Sequence, residues 1–244
     1  MIVSAHQSNY LPYLGFFKKI IMSDLFIIME NLQFEKKSWQ NRNRILNQGK
    51  EQWLSVPVLT KEKFLQTIKD VKINNSTPWQ NKHFKTIYLN YHKEPFYDEI
   101  KTYLEDCYLD RKWDTLYKLN RFWIINFIKL LNIQTPIKWD NQYQFSGSKT
   151  ELLISICNNT GAKIYLSSPN SVNYIDDNIF KKNNLIHYYM YYNGKRYSFH
   201  NKNYSSDLSI IDLICRYGTK VISNEIKKDF QYFQKVSSFH WQIT

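Results

Sequence analysis

The chain has 244 residues, and 33 Lys and Arg against 21 Asp and Glu give a formal net charge of +12. At 43% hydrophobic and 17% aromatic it is too apolar for a disordered chain, and 6 Gly with 6 Pro exclude collagen-like or low-complexity architecture. The charge admits two readings. One is an anionic partner such as nucleic acid, an acidic membrane or a phosphorylated small molecule. The other is composition bias, because the excess is Lys and accompanies many Asn, Ile and Tyr, all with A- and T-rich codons.

Residues 2–5 form a short β-branched and apolar run, the mark of a buried first strand. The polar stretch HQSNYLP follows, with Pro12 near the start of a helix, where a missing N–H is harmless. Leu14, Phe17, Ile20 and Ile21 recur at helical spacing, with Lys18 and Lys19 expected outward, and residues 25–29 read as a second strand. Strand, loop, helix and strand within about thirty residues make the βαβ unit of a parallel sheet.

Residues 33–48 are polar, basic and amide-rich, and residues 53–58 and 71–73 read as further strands. From 79 to 131 the pattern turns helical, with Leu116, Leu119, Phe122, Trp123, Phe127, Leu130 and Leu131 as one apolar stripe for the core. Residues 133–136 close this section. Thr150 is then expected to cap a helix over 151–158, with Gly161 at its carboxyl end. A strand over 163–167, a short helix over 176–182 and a strand over 185–192 follow. Asn193-Gly194 signals a hairpin into 196–199, and an amphipathic helix over 208–216 ends at Gly218. With no linker and no repeat, the expectation is one α/β domain over 1–244. Its sheet is mainly parallel and flanked by helices, with a helical section at roughly 78–132.

Three dispersed cysteines, Cys107, Cys157 and Cys215, with no Cys-x-x-Cys support neither a disulfide framework nor a zinc knuckle. Cys157, on an apolar helix face, reads as a small core residue. The amino terminus lacks the basic start and long apolar stretch of a signal peptide. The apolar run at 122–131 is interrupted by Asn126 and Lys129 and too short to span a bilayer. A cytoplasmic protein without stable membrane insertion is expected.

Two constellations could carry chemistry. His6-Gln7-Ser8-Asn9-Tyr10 lies at the carboxyl end of the first strand, where open parallel sheets place their ligand crevice. His6 could carry a proton, and the amides could hold a sugar, or the loop could simply satisfy its own backbone. The second is Lys36, Lys37, Arg42 and Arg44 interleaved with Trp39, Gln40, Asn41 and Asn43. If 41–45 is extended, Arg42 and Arg44 share a face, which suits a pyrophosphate carrying a stackable base. Single-stranded nucleic acid would use the same ingredients, as would a merely solvated basic hairpin. No known nucleic-acid-binding motif accompanies the stretch, which argues against nucleic acid.

Other motifs fail. GSKT at 147–150 resembles the end of a phosphate-binding loop but lacks both earlier glycines, and no GxGxxG, GxSxG or HExxH occurs. His83 and His92 have no acidic partner at ligand spacing, so no metal is expected. Asp212, set among apolar neighbours in LSIIDLI, should be paired: a cleft would explain it, and so would a cap or an arginine partner.

HQSNYLPYLGFFKKI, SDLFIIMENLQFEKKSWQNRNRI and WLSVPV, followed in order by KTELLISIC, GAKIYLSS, a loop containing Tyr174 and LSIIDLICRYG, together resemble the WbqC-like family over nearly the whole chain. Ser8 departs from the usual Pro, Ser167-Ser168 from the usual Ser-Gly, and Leu152 from a more usual basic residue. The resemblance implies a role in bacterial O-antigen, capsule or lipopolysaccharide synthesis, with transfer of an acyl or aminoacyl group, such as glycyl, to a nucleotide-linked amino sugar. In that setting His6 and Asp212 are the candidate catalytic residues. Gln7, Asn9 and Tyr10 would position the sugar or carbonyl, with Asn41 and Tyr174 as further substrate-binding candidates. Lys37, Arg42 and Arg44 would hold the phosphates, and Trp39 would stack on the base. The cosubstrate would be an acyl donor or ATP. The competing reading is a non-catalytic module that binds nucleic acid or a protein partner through residues 36–44.

Overall fold

In the computed structural model, the described residues are 1–244 except 62, 64, 174, 191–206, 229–231, 238, 239 and 244, and the side chains of 170 and of the last two strands are also left aside. The main sheet has seven strands in the order β5-β2-β1-β6-β7-β8-β9. These are β1 (Ile2–Gln7), β2 (Leu25–Met29), β5 (Ile137–Trp139), β6 (Ile164–Ser167), β7 (Ile186–Met190), β8 (Tyr232–Ser237) and β9 (His240–Ile243). The first five run parallel, and the last two join antiparallel at one edge.

The central strands are buried on both faces, which is why they read as unbroken apolar runs. In β2, Phe26 and Ile28 enter one core with Leu14, Phe16 and Phe17, whereas Ile27 and Met29 enter a second with Val3, Ala5 and Ile156. The period of two thus sends alternate residues to opposite layers. Helix α1 (Leu14–Ile21) lies on the first face with the helical section α2 (Trp79–Tyr91), α3 (Asp98–Glu105) and α4 (Leu116–Leu130) and with α7 (Ile210–Glu225). Helices α5 (Lys149–Thr160) and α6 (Asp177–Lys182) cover the opposite face.

The mainly parallel, helix-flanked sheet and the central helical section agree with the sequence. Local differences have physical reasons. Lys19 is not outward: it is 4% exposed, because α1 is apolar nearly all round and lies between the sheet and the helical section. Thr150 is not the cap of α5. Ser148 holds that position, and the Thr150 hydroxyl instead accepts from the Asp176 amide. Residues 71–73 make only isolated bridges, Val58 to Ile73 and Lys72 to Thr115. The 33–48 stretch contains β3 (Arg42–Asn47), paired antiparallel with β4 (Lys50–Ser55). Gln48 and Gly49, both at positive φ (49° and 76°), close that hairpin by the two-residue turn that matches strand twist. The Asn193-Gly194 hairpin and the strand at 196–199 lie outside the described residues.

Gly161 ends α5 at φ 70°, and Gly218 breaks α7 at φ 80° and ψ 155°. The Gly218 geometry is essentially closed to other residues. A Cβ there would also stand 2.8 Å from the Phe96 ring. Gly218→Ala is therefore expected to destabilise by about 1–3 kcal/mol. Chemical denaturation will show this as a lowered midpoint with an unchanged slope.

Candidate functional site

Strand β1 has β2 on one side and β6 on the other. The connection from β1 to β2 runs through α1 on one face, and α5, leading into β6, covers the opposite face. Neighbouring strands whose helices part to opposite faces leave a crevice at their carboxyl ends. A cleft of about 500 Å3 opens there, lined among others by His6, Gln7, Asn9, Lys19, Trp39 and Ser167.

Its first wall is pinned by amides. The Gln40 side chain donates to Gln7 Oε1 at 2.7 Å and accepts the Glu35 amide at 3.0 Å. That bond fixes which end of the Gln7 side chain is the carbonyl, and its Nε2 remains able to donate. Asn120, from α4, donates to the Ser8 carbonyl at 3.2 Å and the Gln40 carbonyl at 2.9 Å. The Tyr10 amide donates to the Trp39 carbonyl at 3.0 Å. Asn9 is 2% exposed and lines the cleft, where its side-chain amide suits a polar ligand.

His6 packs edge-on against Phe16 at 5.2 Å. Its Nδ1 lies 2.9 Å from the Gln7 carbonyl, an acceptor only, so Nδ1 carries the proton and Nε2 the lone pair. Desolvation, aided by the Lys19 charge, lowers its pKa from the ordinary 6.5 to about 4, so the ring is neutral at pH 7. Lys19 donates from Nζ to the Ala5 carbonyl at 2.8 Å, and desolvation lowers its pKa to about 7. An ammonium poised between its two states at the floor of a cleft is a signature of functional sites. Opposite lies the first part of α5, including Lys149 and Leu152. Leu11, Lys37 and Lys149 hold φ of 46°, 58° and 49°, a strained backbone for non-glycine residues, on or next to the segments that form the cleft.

The cleft thus gathers His6, Gln7, Asn9 and Trp39 from the sequence-derived set. Others lie apart. Tyr10 is fully buried, its hydroxyl bonded to His83 Nδ1 at 2.9 Å and to the Tyr108 hydroxyl. Asn41 donates to the Val56 carbonyl at 2.9 Å and braces the hairpin. Arg42 and Arg44 do share a face, stacking over Trp53 at 4.1 and 5.2 Å. Arg44 also lies 5.1 Å from Trp39 and pairs with Glu51 at 2.6 Å and with Asp207 at 3.7 Å, so acids of this chain already engage its charge. Lys37 is exposed beyond the rim. Asp212, fully buried, accepts from Tyr91 at 2.8 Å and Arg216 Nε at 3.1 Å, away from the cleft. Tyr174 lies outside the described residues.

Sequence reasoning missed Lys19, Lys149 and Ser167. A lysine inside an otherwise apolar helix was the available signal for Lys19. Ser167 and Lys149 carried none by themselves, since their relevance comes from strand order. Among the described residues no group of three His, Cys, Asp or Glu side chains could hold a metal. All three cysteines are buried and free, and burial pushes the Cys157 thiol up to about 12. No helix among the described residues is long and apolar enough to cross a membrane.

A mainly parallel sheet covered by helices on both faces defines the class as α/β. Within it the chain belongs to the WbqC-like protein family, whose model matches residues 7–224. It is 33% identical over 221 residues to the uncharacterized protein Rv1507c of Mycobacterium tuberculosis strain H37Rv, a match covering 89% of this chain and 94% of that protein. No solved structure matches it.

Two predictions follow from this geometry. His6 and His83 are each lowered to about 4, and His187 is lowered too, so between pH 6.5 and 4 the unfolded chain binds protons that the native chain refuses. Stability therefore falls as pH falls through that window. His6→Asn should flatten the slope by up to one proton in urea titrations between pH 6.5 and 4.5, and an unchanged slope would contradict a buried neutral ring. Asp212→Ala removes the acceptor of the buried Tyr91 hydroxyl and leaves Arg216 with Glu94 alone, and should cost about 1–3 kcal/mol, read by chemical denaturation.

Proposed function

We propose that this protein transfers an acyl or aminoacyl group to the amine of a nucleotide-linked amino sugar, as a cytoplasmic step in building bacterial surface polysaccharide. The observation that carries this reading is the crevice between β1 and β6. There a neutral His6, the Gln7 and Asn9 amides and a half-titrated Lys19 line one cleft of about 500 Å3, a size suited to a nucleotide sugar.

Each part has a matching task. The Gln7 and Asn9 amides recognise sugar hydroxyls or the acyl carbonyl. His6 Nε2, unprotonated at neutral pH, accepts a hydrogen bond from the attacking amine and keeps a second positive charge away from Lys19. Lys149, at the amino-terminal end of α5, meets the diphosphate where helix N–H groups favour anions. Trp39, with Arg44 beside it, offers a face for the base. Arg42 and Lys37 add charge that steers an anionic substrate toward the rim. The whole chain acts as one domain in this reading, the helical section bracing the first loop through Asn120.

Thermal melting with UDP- and dTDP-linked amino sugars tests it. A ligand at a hundred times its Kd stabilises by about 2.7 kcal/mol, which raises the melting temperature by several degrees. Gln7→Ala and Lys149→Ala should lose most of that shift. No shift with any nucleotide amino sugar at millimolar concentration would refute the reading. Tight, steeply salt-dependent binding to single-stranded nucleic acid would instead favour the binding-module alternative.

A further inference from the structure

The wall of the cleft formed by β6 carries a hydrogen-bonded chain that the roles above do not use. Ser167, the last residue of β6, lines the cleft and is 3% exposed. Its Oγ lies 2.7 Å from His187 Nε2, on the adjacent strand β7. His187 Nδ1 is hydrogen-bonded to the carboxylate of Asp177 at the start of α6. An ionised carboxylate only accepts, so Nδ1 bears the proton and Nε2 accepts from the serine hydroxyl. The Asp177 oxygen also accepts from Tyr189 at 3.3 Å. The imidazole plane is clamped by Phe180, stacked at 4.4 Å and 9°, and by Tyr189 at 4.4 Å.

We propose that Ser167, His187 and Asp177 form a nucleophilic triad and that Ser167 carries the acyl group as an ester between donor and sugar. The constellation has the required polarity throughout: hydroxyl to Nε2, Nδ1–H to carboxylate, with the carboxylate fixing the tautomer. A purely structural network would not need its hydroxyl end at the cleft. Burial lowers the His187 pKa while Asp177 raises it, which keeps the ring neutral and ready to accept a proton. Lys19 lines the same cleft, and in this proposal its charge stabilises the oxyanion.

The identity of the donor in this step rests on the acyl-transfer reading: an activated acyl thioester. Ser167 Oγ bonds to the acyl carbon as its proton passes to His187 Nε2. The tetrahedral adduct then expels the thiolate, which takes that proton and leaves as thiol. The sugar amine next attacks the ester carbonyl and yields a proton to His187. The C–Oγ bond breaks, and Ser167 recovers that proton. Thioester and amine become amide and thiol, with no redox change.

A fluorophosphonate probe tests the triad without knowledge of donor or sugar, because an activated serine displaces fluoride and keeps the phosphonyl group. The native chain should gain one adduct by intact mass, mapped to Ser167 by peptide fragmentation and absent from denatured protein. Ser167→Ala should abolish it. His187→Gln should slow it by a hundred-fold or more, and Asp177→Asn should slow it too, with folding checked by circular dichroism. No adduct on the native wild-type chain, or one mapped elsewhere, overturns the triad even if a variant fails to fold. Stabilisation by nucleotide amino sugars without an adduct overturns the triad and leaves acyl transfer by direct attack. An adduct at Ser167 without that stabilisation upholds the triad and removes the sugar reading.

Discussion

The position of Asn120 and Gln40 against the end of β1 is the constraint on which the site depends. Strand β1 is held by ladder hydrogen bonds up to Gln7, and beyond it the Ser8 amide donates to the Met29 carbonyl and the Tyr10 amide to the Trp39 carbonyl. Asn120 supplies a donor to the Ser8 carbonyl and another to the Gln40 carbonyl, and the Gln40 side chain continues the chain of bonds to Gln7. Buried amide bonds of this kind contribute about 1 kcal/mol each, but an unmade one costs more. The first loop, Gln40 and the helical section are therefore tied together, with Asn120 reaching from α4 to the loop after β1.

A second tie holds the same unit from below. Arg121, next to Asn120 on α4, pairs with the buried carboxylate of Glu30 at the end of β2 and lies 4.2 Å over Trp139 of β5. Asp140, just after β5, accepts the amides of Glu30 and Asn31 at 2.8 and 2.7 Å. Consecutive residues of α4 thus grip the carboxyl ends of β1 and β2. The opposite wall depends on different elements, α5, β6 and β7. The cleft is bounded by two separately built halves that meet at the boundary between β1 and β6, one with amides and Trp39, the other with Ser167 and Lys149.

The βαβ start, the buried strands and the helical stripe were legible because each has a strong period. Leu116, Leu119, Trp123, Phe127 and Leu131 are buried as the pattern required, with Phe122 and Leu130 partly so. Strand β5 escaped because three residues at a sheet edge carry no period. The β3–β4 hairpin was one of the readings open for the basic stretch, but its amides and arginines satisfy backbone and aromatic partners instead of alternating with apolar residues, so no period singled it out. At the site, the His6 loop was readable from position alone. The basic stretch was read for its charge, but the structure shows that Asn41 and Asn43 brace the backbone and that Glu51 and Asp207 engage Arg44. Ser167, His187 and Asp177 are spaced ten residues apart in two steps, and no sequence period links them. Only the pairing of β6 with β7 brings them together.

The +12 charge accordingly contributes little to the cleft, whose lining among the described residues includes Lys19 and Lys149 but not the bulk of the lysines. The most direct test of the central claim, that ligand enters between β1 and β6, is hydrogen–deuterium exchange with and without a UDP-linked amino sugar. The account predicts slowed exchange in residues 5–9, 149–153 and 167–171. Slowing confined to the separate polar groove of about 560 Å3 formed by residues 46–52 and 86–94, with the crevice unchanged, would contradict it.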